Sequence, residues 1–260
     1  MRIALGVEYD GSRFYGWQTQ PHARSVQRDL EASLAKVANH PLRTVCAGRT
    51  DTGVHALGQV VHFDSEAKRT ERSWLLGSNV NLPDDVSVVW AKQVCDEFHA
   101  RFKAVSRRYR YVIFNRETRC SVINKKVTWV REPLDANNMH EAAQALVGEH
   151  DFSSFRALSC QAKHPVRTIH SITVSQLGDL IYLDIKANAF LHHMVRNITG
   201  VLIAIGKGSK AISWVSQLLE QCDRRVGGVT APADGLYLIA VEYPEKFLIP
   251  TPGDALIFAF

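Results

Sequence analysis

LRTVCAGRTDTGVHALGQVVHF (Leu42–Phe63) holds two apolar runs, Leu42–Ala47 and Gly58–Phe63, with a polar, glycine-bounded segment between them. The runs read as two strands joined by a loop that carries Asp51. Gly48 and Gly53 permit tight or left-handed backbone on either side of the acid. Strands at both ends make rigid anchors, which suits a loop that must hold one carboxylate in place. Arg49 lies two residues upstream, and a cation near Asp51 favours its ionised, nucleophilic form. An Asp between Thr and Gly also serves as a plain turn cap. Loop chemistry by itself leaves both readings open.

Working outward, strand and helix patterns alternate along the chain. Arg2–Tyr9 places Ile3, Leu5, Val7 and Tyr9 on one face with a period of two. After a polar loop, Asp10–Arg24, Ser25 stands as an N-cap to a helix carrying Val26, Leu30, Leu34 and Val37. A second helix is expected near Glu71–Val80 and a strand over Val86–Val94, after the turn residues Pro83 and Asp84. In the second half Ser106–Asn115 reads as a strand. Leu134–Gly148 carries a helix with Met139, Ala142, Ala143 and Leu146 inward. Thr168–Gly178 and Leu180–Phe190 form a hairpin turning at Gly178 and Asp179. Helices over Leu191–Ile205 and Ser213–Cys222 precede a strand over Leu236–Tyr243.

Helices are too few to serve as crossovers between all these strands. The expected fold is therefore α+β: two similar halves, each a mostly antiparallel sheet with helices on one face, and an active-site cleft between them. The expected boundaries are 1–104, 105–249 and a tail, 250–260, of unassigned role.

Composition sets outer limits. Of 260 residues 46% are hydrophobic and 22% charged, which fits a folded globular chain and not a disordered or repetitive one. The net charge of +5 weakly favours a polyanionic partner. Five scattered cysteines form no CxxC pair, so a zinc ribbon or dithiol motif is not indicated, and free thiols in a reducing compartment are expected. MRIALGVEYDG lacks the apolar core of a signal peptide, and Ile198–Gly206 is too short an apolar run to span a bilayer. The expectation is a cytoplasmic protein without membrane association.

GRTDTGVHA (Gly48–Ala56), together with SRRYRYVIFN (Ser106–Asn115), KANAFLHHMVRNITG (Lys186–Gly200) and DGLYLIAV (Asp234–Val241), resembles the TruA family of tRNA pseudouridine synthases. The similarity runs in order from Ile3 to about Tyr243. Thr52 stands where that family commonly has alanine. The resemblance implies the pseudouridine synthase fold and isomerisation of uridine in the anticodon stem-loop of tRNA, at positions 38, 39 and 40. The bond from the sugar to N1 breaks, the base rotates, and C5 joins the sugar. No cofactor and no metal are implied, and members act as homodimers. Asp51 matches the catalytic aspartate, which attacks C1′, removes a sugar proton or engages the base. A carboxylate beside a sugar carbon that is losing its base stabilises developing positive charge, as in glycosidases.

By the same resemblance Tyr109 is the pocket tyrosine, stacking on the uracil and handling the C5 proton. Arg196 pairs with the catalytic carboxylate, Leu236 lines the base pocket, and Arg49 helps hold the flipped nucleotide. Without it, Tyr109 reads as a half-buried strand aromatic, Arg196 as a structural arginine and Leu236 as an ordinary strand residue. DGSRFYGWQTQPHAR (Asp10–Arg24) interleaves Arg13 and Arg24 with Phe14, Tyr15 and Trp17. That mixture suits looped RNA, or equally a loop folded on its own apolar contacts. Arg107, Arg108, Arg156, Lys163 and Arg167 are further cationic candidates.

Three rivals are weaker. Asp51-Thr52-Gly53 spells the aspartic-protease signature, but it occurs once and follows a cationic segment, where a shared proton would be opposed. A silent RNA-binding module does not explain why Asp51, Tyr109 and Arg196 are all present. His55, His62, His192 and His193 lack the spacing of a tight metal-ligand set.

Overall fold

The elements in chain order are β1 (Arg2–Tyr9), α1 (Val26–Ala38), β2 (Val45–Cys46), β3 (His55–Asp64), α2 (Glu71–Asn81), β4 (Val86–Val94), β5 (Ser106–Asn115), β6 (Thr128–Val130), α3 (Ala136–Gln144), β7 (Gly148–Asp151), β8 (Val166–Leu177), β9 (Leu180–Ala187), α4 (Met194–Gly206), α5 (Trp214–Gln221) and β10 (Leu236–Glu242). They come from a computed structural model that describes residues 1–251, so most of the expected tail lies outside the described residues. The α+β class expected from the sequence is what these elements build.

Two compact units divide the described residues: Met1–Arg107 with residues 237–251, and Arg108–Leu236. The boundary falls inside β10, after Leu236, and β10 pairs in parallel with β3 through Tyr237↔His55 and Leu238↔Ala56, where the expected second half ran over 105–249. A parallel return of this kind leaves no local trace in the sequence.

In the first unit the strand order is β4-β1-β3-β10, with β2 also on β3. The β1–β3, β1–β4 and β2–β3 pairings are antiparallel. Ile3, Leu5, Val7 and Tyr9 are buried as the alternation demands, but Ala4 is buried too. Gly6 lies under the indole of its β4 partner Trp90, so β1 is covered on both faces. α1 packs on α2, and Phe63 of β3 meets Trp74 of α2 edge to face at 5.0 Å. β2 is shorter than the expected Leu42–Ala47 strand. Thr44 donates both its N–H and its hydroxyl to Glu31 Oε1 of α1 (2.8 and 3.0 Å), tying that stretch to the helix instead of the ladder.

In the second unit the order is β5-β9-β8-β7, with β6 beside β5. β8 and β9 form the expected antiparallel hairpin, with Gly178 at φ +56 in its turn. β6 runs parallel to β5, and neither β6 nor β7 is foreseen by pattern. α3 packs on β8 and α4, and α4 is buried on most sides. No helix of the described residues is long and apolar enough to cross a membrane.

The Asp135 carboxylate caps α3, its Oδ1 accepting the N–H groups of Asn137 and Asn138, each at 2.9 Å. Asp135→Ala leaves both donors without that partner and is expected to lower stability by about 1 kcal/mol. Urea unfolding midpoints of the two proteins check this; coincident curves would contradict it.

Candidate active site

The Asp51 loop belongs to the first unit and is fastened along its backbone. Ala47 N–H donates to Val60 O at 2.8 Å, and Gln59 Nε2 donates to Gly48 O at 2.7 Å. Thr50 is held twice: its carbonyl accepts Trp17 N–H at 3.0 Å, and its hydroxyl meets Tyr9 Oη at 2.8 Å. Gly53 N–H donates to Phe14 O, and Val54 N–H closes a turn on Asp51 O at 3.1 Å. Gly53, at φ +82, supplies the left-handed conformation that the third position of a type II turn requires. Asp51 sits in this frame half-buried, between the buried Thr50 and the exposed Thr52; Arg49 is exposed.

The loop packs against the segment from Gly11 to Trp17 with almost no room to spare. A Cβ at Gly11 would lie 2.0 Å from Val54 O, and one at Gly16 would lie 2.7 Å from Thr50 O. Next along β3, His55 accepts Gly11 N–H on Nδ1 at 3.0 Å and stacks on Tyr237 of β10 at 4.6 Å. Cys46, just before the loop, is buried; its thiol is pushed up to about 12 by burial, so it stays protonated and does not compete as a nucleophile.

The second unit places Tyr109, Leu236 and Arg196. Tyr109 of β5 is 9% exposed, its ring edge-on to Phe190 at 5.0 Å. Leu236 opens β10 and is buried. Before it, Gly235 lets the chain approach β5 closely: its carbonyl accepts Val112 N–H at 2.8 Å, and a Cβ there would lie 2.5 Å from Val112 O. Arg196, in the first turn of α4, donates Nε–H to Ala231 O at 2.8 Å, and Ala231 N–H returns to Arg196 O at 3.1 Å. One residue on, buried Asn197 donates to Phe155 O (2.7 Å) and accepts from Arg224 (3.1 Å) and Thr230 (2.6 Å). That polar cluster locks the start of α4 to the chain segments near residues 155 and 224–230.

The basic-aromatic loop divides its residues between two tasks. Phe14 and Trp17 are buried, whereas Tyr15 is 59% exposed and Arg13 is exposed. Arg24 is committed within the unit: it makes a two-pronged contact with Asp85 at 2.7 Å, reaches Asp29 at 2.9 Å, and lies over the Phe14 ring. These two carboxylates and the ring fix the Arg24 guanidinium within the first unit. Arg107 is likewise engaged, with the carbonyls of Ala104, Ala47 and Arg101. Arg156 and Arg108 are half-buried and Lys163 is exposed. Arg167 bonds the carbonyls of His164 and Val166.

Gln59, Phe190 and Asn197 carry no role in the sequence reading, and His55 enters it only as a metal-ligand candidate, not as a support of the loop. Gln59 had a usable signal, a polar amide inside the apolar run GQVVHF; Phe190 and Asn197 read as motif neighbours.

A family profile described as tRNA pseudouridine synthase matches residues 6–103 and 142–244. The chain is 58% identical over 250 residues to a protein of Pseudoalteromonas atlantica called tRNA pseudouridine synthase A, covering 96% of this chain and 95% of that one. A relative of the same name from Shewanella piezotolerans is 58% identical over 250 residues, covering 96% of each chain. A third, from Escherichia fergusonii, is 55% identical over 257 residues, covering 99% of this chain and 95% of its own. Through this agreement along almost its full length, the chain belongs to the tRNA pseudouridine synthase family.

Proposed function

We infer that this protein isomerises uridine to pseudouridine in the anticodon stem-loop of tRNA, at positions 38, 39 and 40. The observation that carries the reading is the mounting of Asp51, a half-buried carboxylate on a loop whose backbone is pinned from both flanks. Rigid placement of one negative charge at the sugar–base junction is what breaking and remaking that bond demands. The names of the relatives, at 55–58% identity over nearly the whole chain, support tRNA as the substrate.

In this reading the target nucleotide is turned out of its stack, at a cost of a few kcal/mol that stacking and phosphate contacts offset. Asp51 supplies the charge, Tyr109 stacks on the base and handles the C5 proton, Arg196 is the cationic member of the set, and Leu236 is an apolar wall for the base. Arg49, Arg13, Tyr15, Arg156 and Lys163 serve the RNA. The enzyme works in the cytoplasm as a homodimer, a state that the resemblance supports and sedimentation tests.

Tyr109→Phe removes a hydroxyl while keeping the ring on Phe190. It is expected to lower kcat by about 10-fold to 10²-fold and leave KM within about threefold. A change in KM alone would remove the proton-handling role. For the function as a whole, pseudouridine mapping of tRNA from cells lacking the protein should show the modification lost in the anticodon arm and kept elsewhere. An unchanged map would overturn the assignment.

A further inference from the structure

Beyond the loop that holds Asp51, the first unit carries a surface feature that the reaction leaves unused. Phe102 is 74% exposed, yet its ring is mounted from one side. It stacks on His99 with centroids 4.4 Å apart and planes 28° from parallel. His99 in turn meets His62, which is buried, at 4.7 Å, so three rings step outward from the sheet to the surface. The backbone fixes this stack: His99 Nδ1 accepts the N–H groups of Arg101 and Phe102, both at 3.2 Å, and Lys103 N–H donates to His99 O at 3.0 Å. An acceptor Nδ1 needs an imidazole without a proton there; burial first, and then the nearby Arg2 charge, lowers the His99 pKa and favours that neutral form.

A single exposed apolar side chain needs no explanation. An exposed ring held this firmly, between two cationic neighbours in sequence, is different. The Arg101 guanidinium lies 5.6 Å from the Phe102 centroid, near the outer limit of a cation–π contact, and leaves most of the ring uncovered. Lys103 makes an exposed pair with Glu97 at 3.4 Å, which competes weakly with a phosphate. Arg107 binds the carbonyls of both Arg101 (2.9 Å) and Ala47 (3.2 Å), so the loop under Phe102 is tied to the residue that leads into the Asp51 loop.

We propose that Phe102 is a stacking platform for an unpaired base of the substrate RNA, with Arg101 and Lys103 at the adjoining phosphates. An aromatic face offers sequence-tolerant stacking, and flanking cations match a polyanion better than they match a second copy of this basic chain. The proposal rests on the RNA-modifying reading given above. Its role is to fix a nucleotide outside the reacting one, so it is written into affinity more than into the chemical step.

The test compares tRNA binding and pseudouridine formation by the wild-type chain and by Phe102→Ala, Phe102→Leu and Phe102→Trp, with melting curves to check folding. Phe102→Ala and Phe102→Leu should each weaken tRNA binding about 10-fold. Phe102→Trp should stay within about twofold of wild type, because it keeps an aromatic face. The salt dependence of binding should keep its slope, since no charge is removed. Wild-type affinity in Phe102→Ala, or equal losses in all three variants, would sink the platform while leaving the enzyme assignment intact. A loss accompanied by a changed sedimentation coefficient would assign Phe102 to a protein interface instead. A wild-type chain that forms no pseudouridine in tRNA would remove the RNA-modifying reading, and the platform with it.

Discussion

Asp51→Asn is expected to reduce pseudouridine formation by at least about 10³-fold while tRNA affinity changes by less than about threefold. The substitution is nearly isosteric, and what it removes is charge. The amide is a far weaker nucleophile and base, and it stabilises a positively charged sugar carbon poorly, so the loss falls on the chemical step under any of the three roles open to the carboxylate. Affinity should survive because the loop is built from backbone and neighbouring side chains. Thr50 keeps its bonds to Tyr9 and Trp17, Gly48 its bond to Gln59, and Val54 N–H still closes on the Asp51 carbonyl. Tritium release from tRNA labelled at C5 of uridine reads the reaction, and filter binding reads the affinity. Wild-type release by the variant would end the case for Asp51, and a parallel collapse of binding would make it a structural residue.

A second large effect is expected at Gly16. With φ +88 and a would-be Cβ 2.7 Å from Thr50 O and 3.2 Å from Asp51 C and Thr52 N, alanine there has no room. The obstructing atoms are backbone, so relief requires moving the peptides on both sides of Asp51. A displacement on the order of 1 Å at the reacting group costs about 10²-fold in kcat/KM. Gly178 is the control: it also has positive φ, +56, but nothing lies within 4 Å of its would-be Cβ. Gly178→Ala therefore incurs similar backbone strain, about 1–2 kcal/mol, without touching the loop. Gly16→Ala should lose stability and activity together, and Gly178→Ala stability alone. Full kcat/KM in Gly16→Ala would mean that the tight mounting of the loop does not set the position of Asp51.

Much of the fold is legible in the residues because local chemistry determines it. The strands expected over Val86–Val94 and Ser106–Asn115 are β4 and β5 end to end, and Ser25 caps α1 as its place before Val26 predicts. Legibility fails where partners lie far apart. Nothing near Arg24 in sequence announces its partner Asp85, which comes from the turn before β4. Thr-Trp-Val and Gly-Glu-His-Asp are too short and too mixed to announce β6 and β7, which exist because β5 and β8 offer them a ladder. In the candidate site, Asp51, Tyr109, Arg196 and Leu236 came from motif resemblance. The mounting by Gln59, Tyr9 and His55 comes from sheet register, which sets residues from separate strands against one short loop.

The parallel seat of β10 on β3 has a consequence for synthesis on the ribosome. Because the first compact unit takes up Tyr237 and Leu238 of β10, its sheet cannot close when residue 107 emerges; the whole of Arg108–Leu236 must be made first. Until then the His55–Ala56 edge, just behind the Asp51 turn, lies open to stray pairing. The nascent chain therefore passes through a stage in which its helices and outer strands can form while the backing of the Asp51 loop is still missing. Catalytic competence is reached late, when β10 takes its place beside β3.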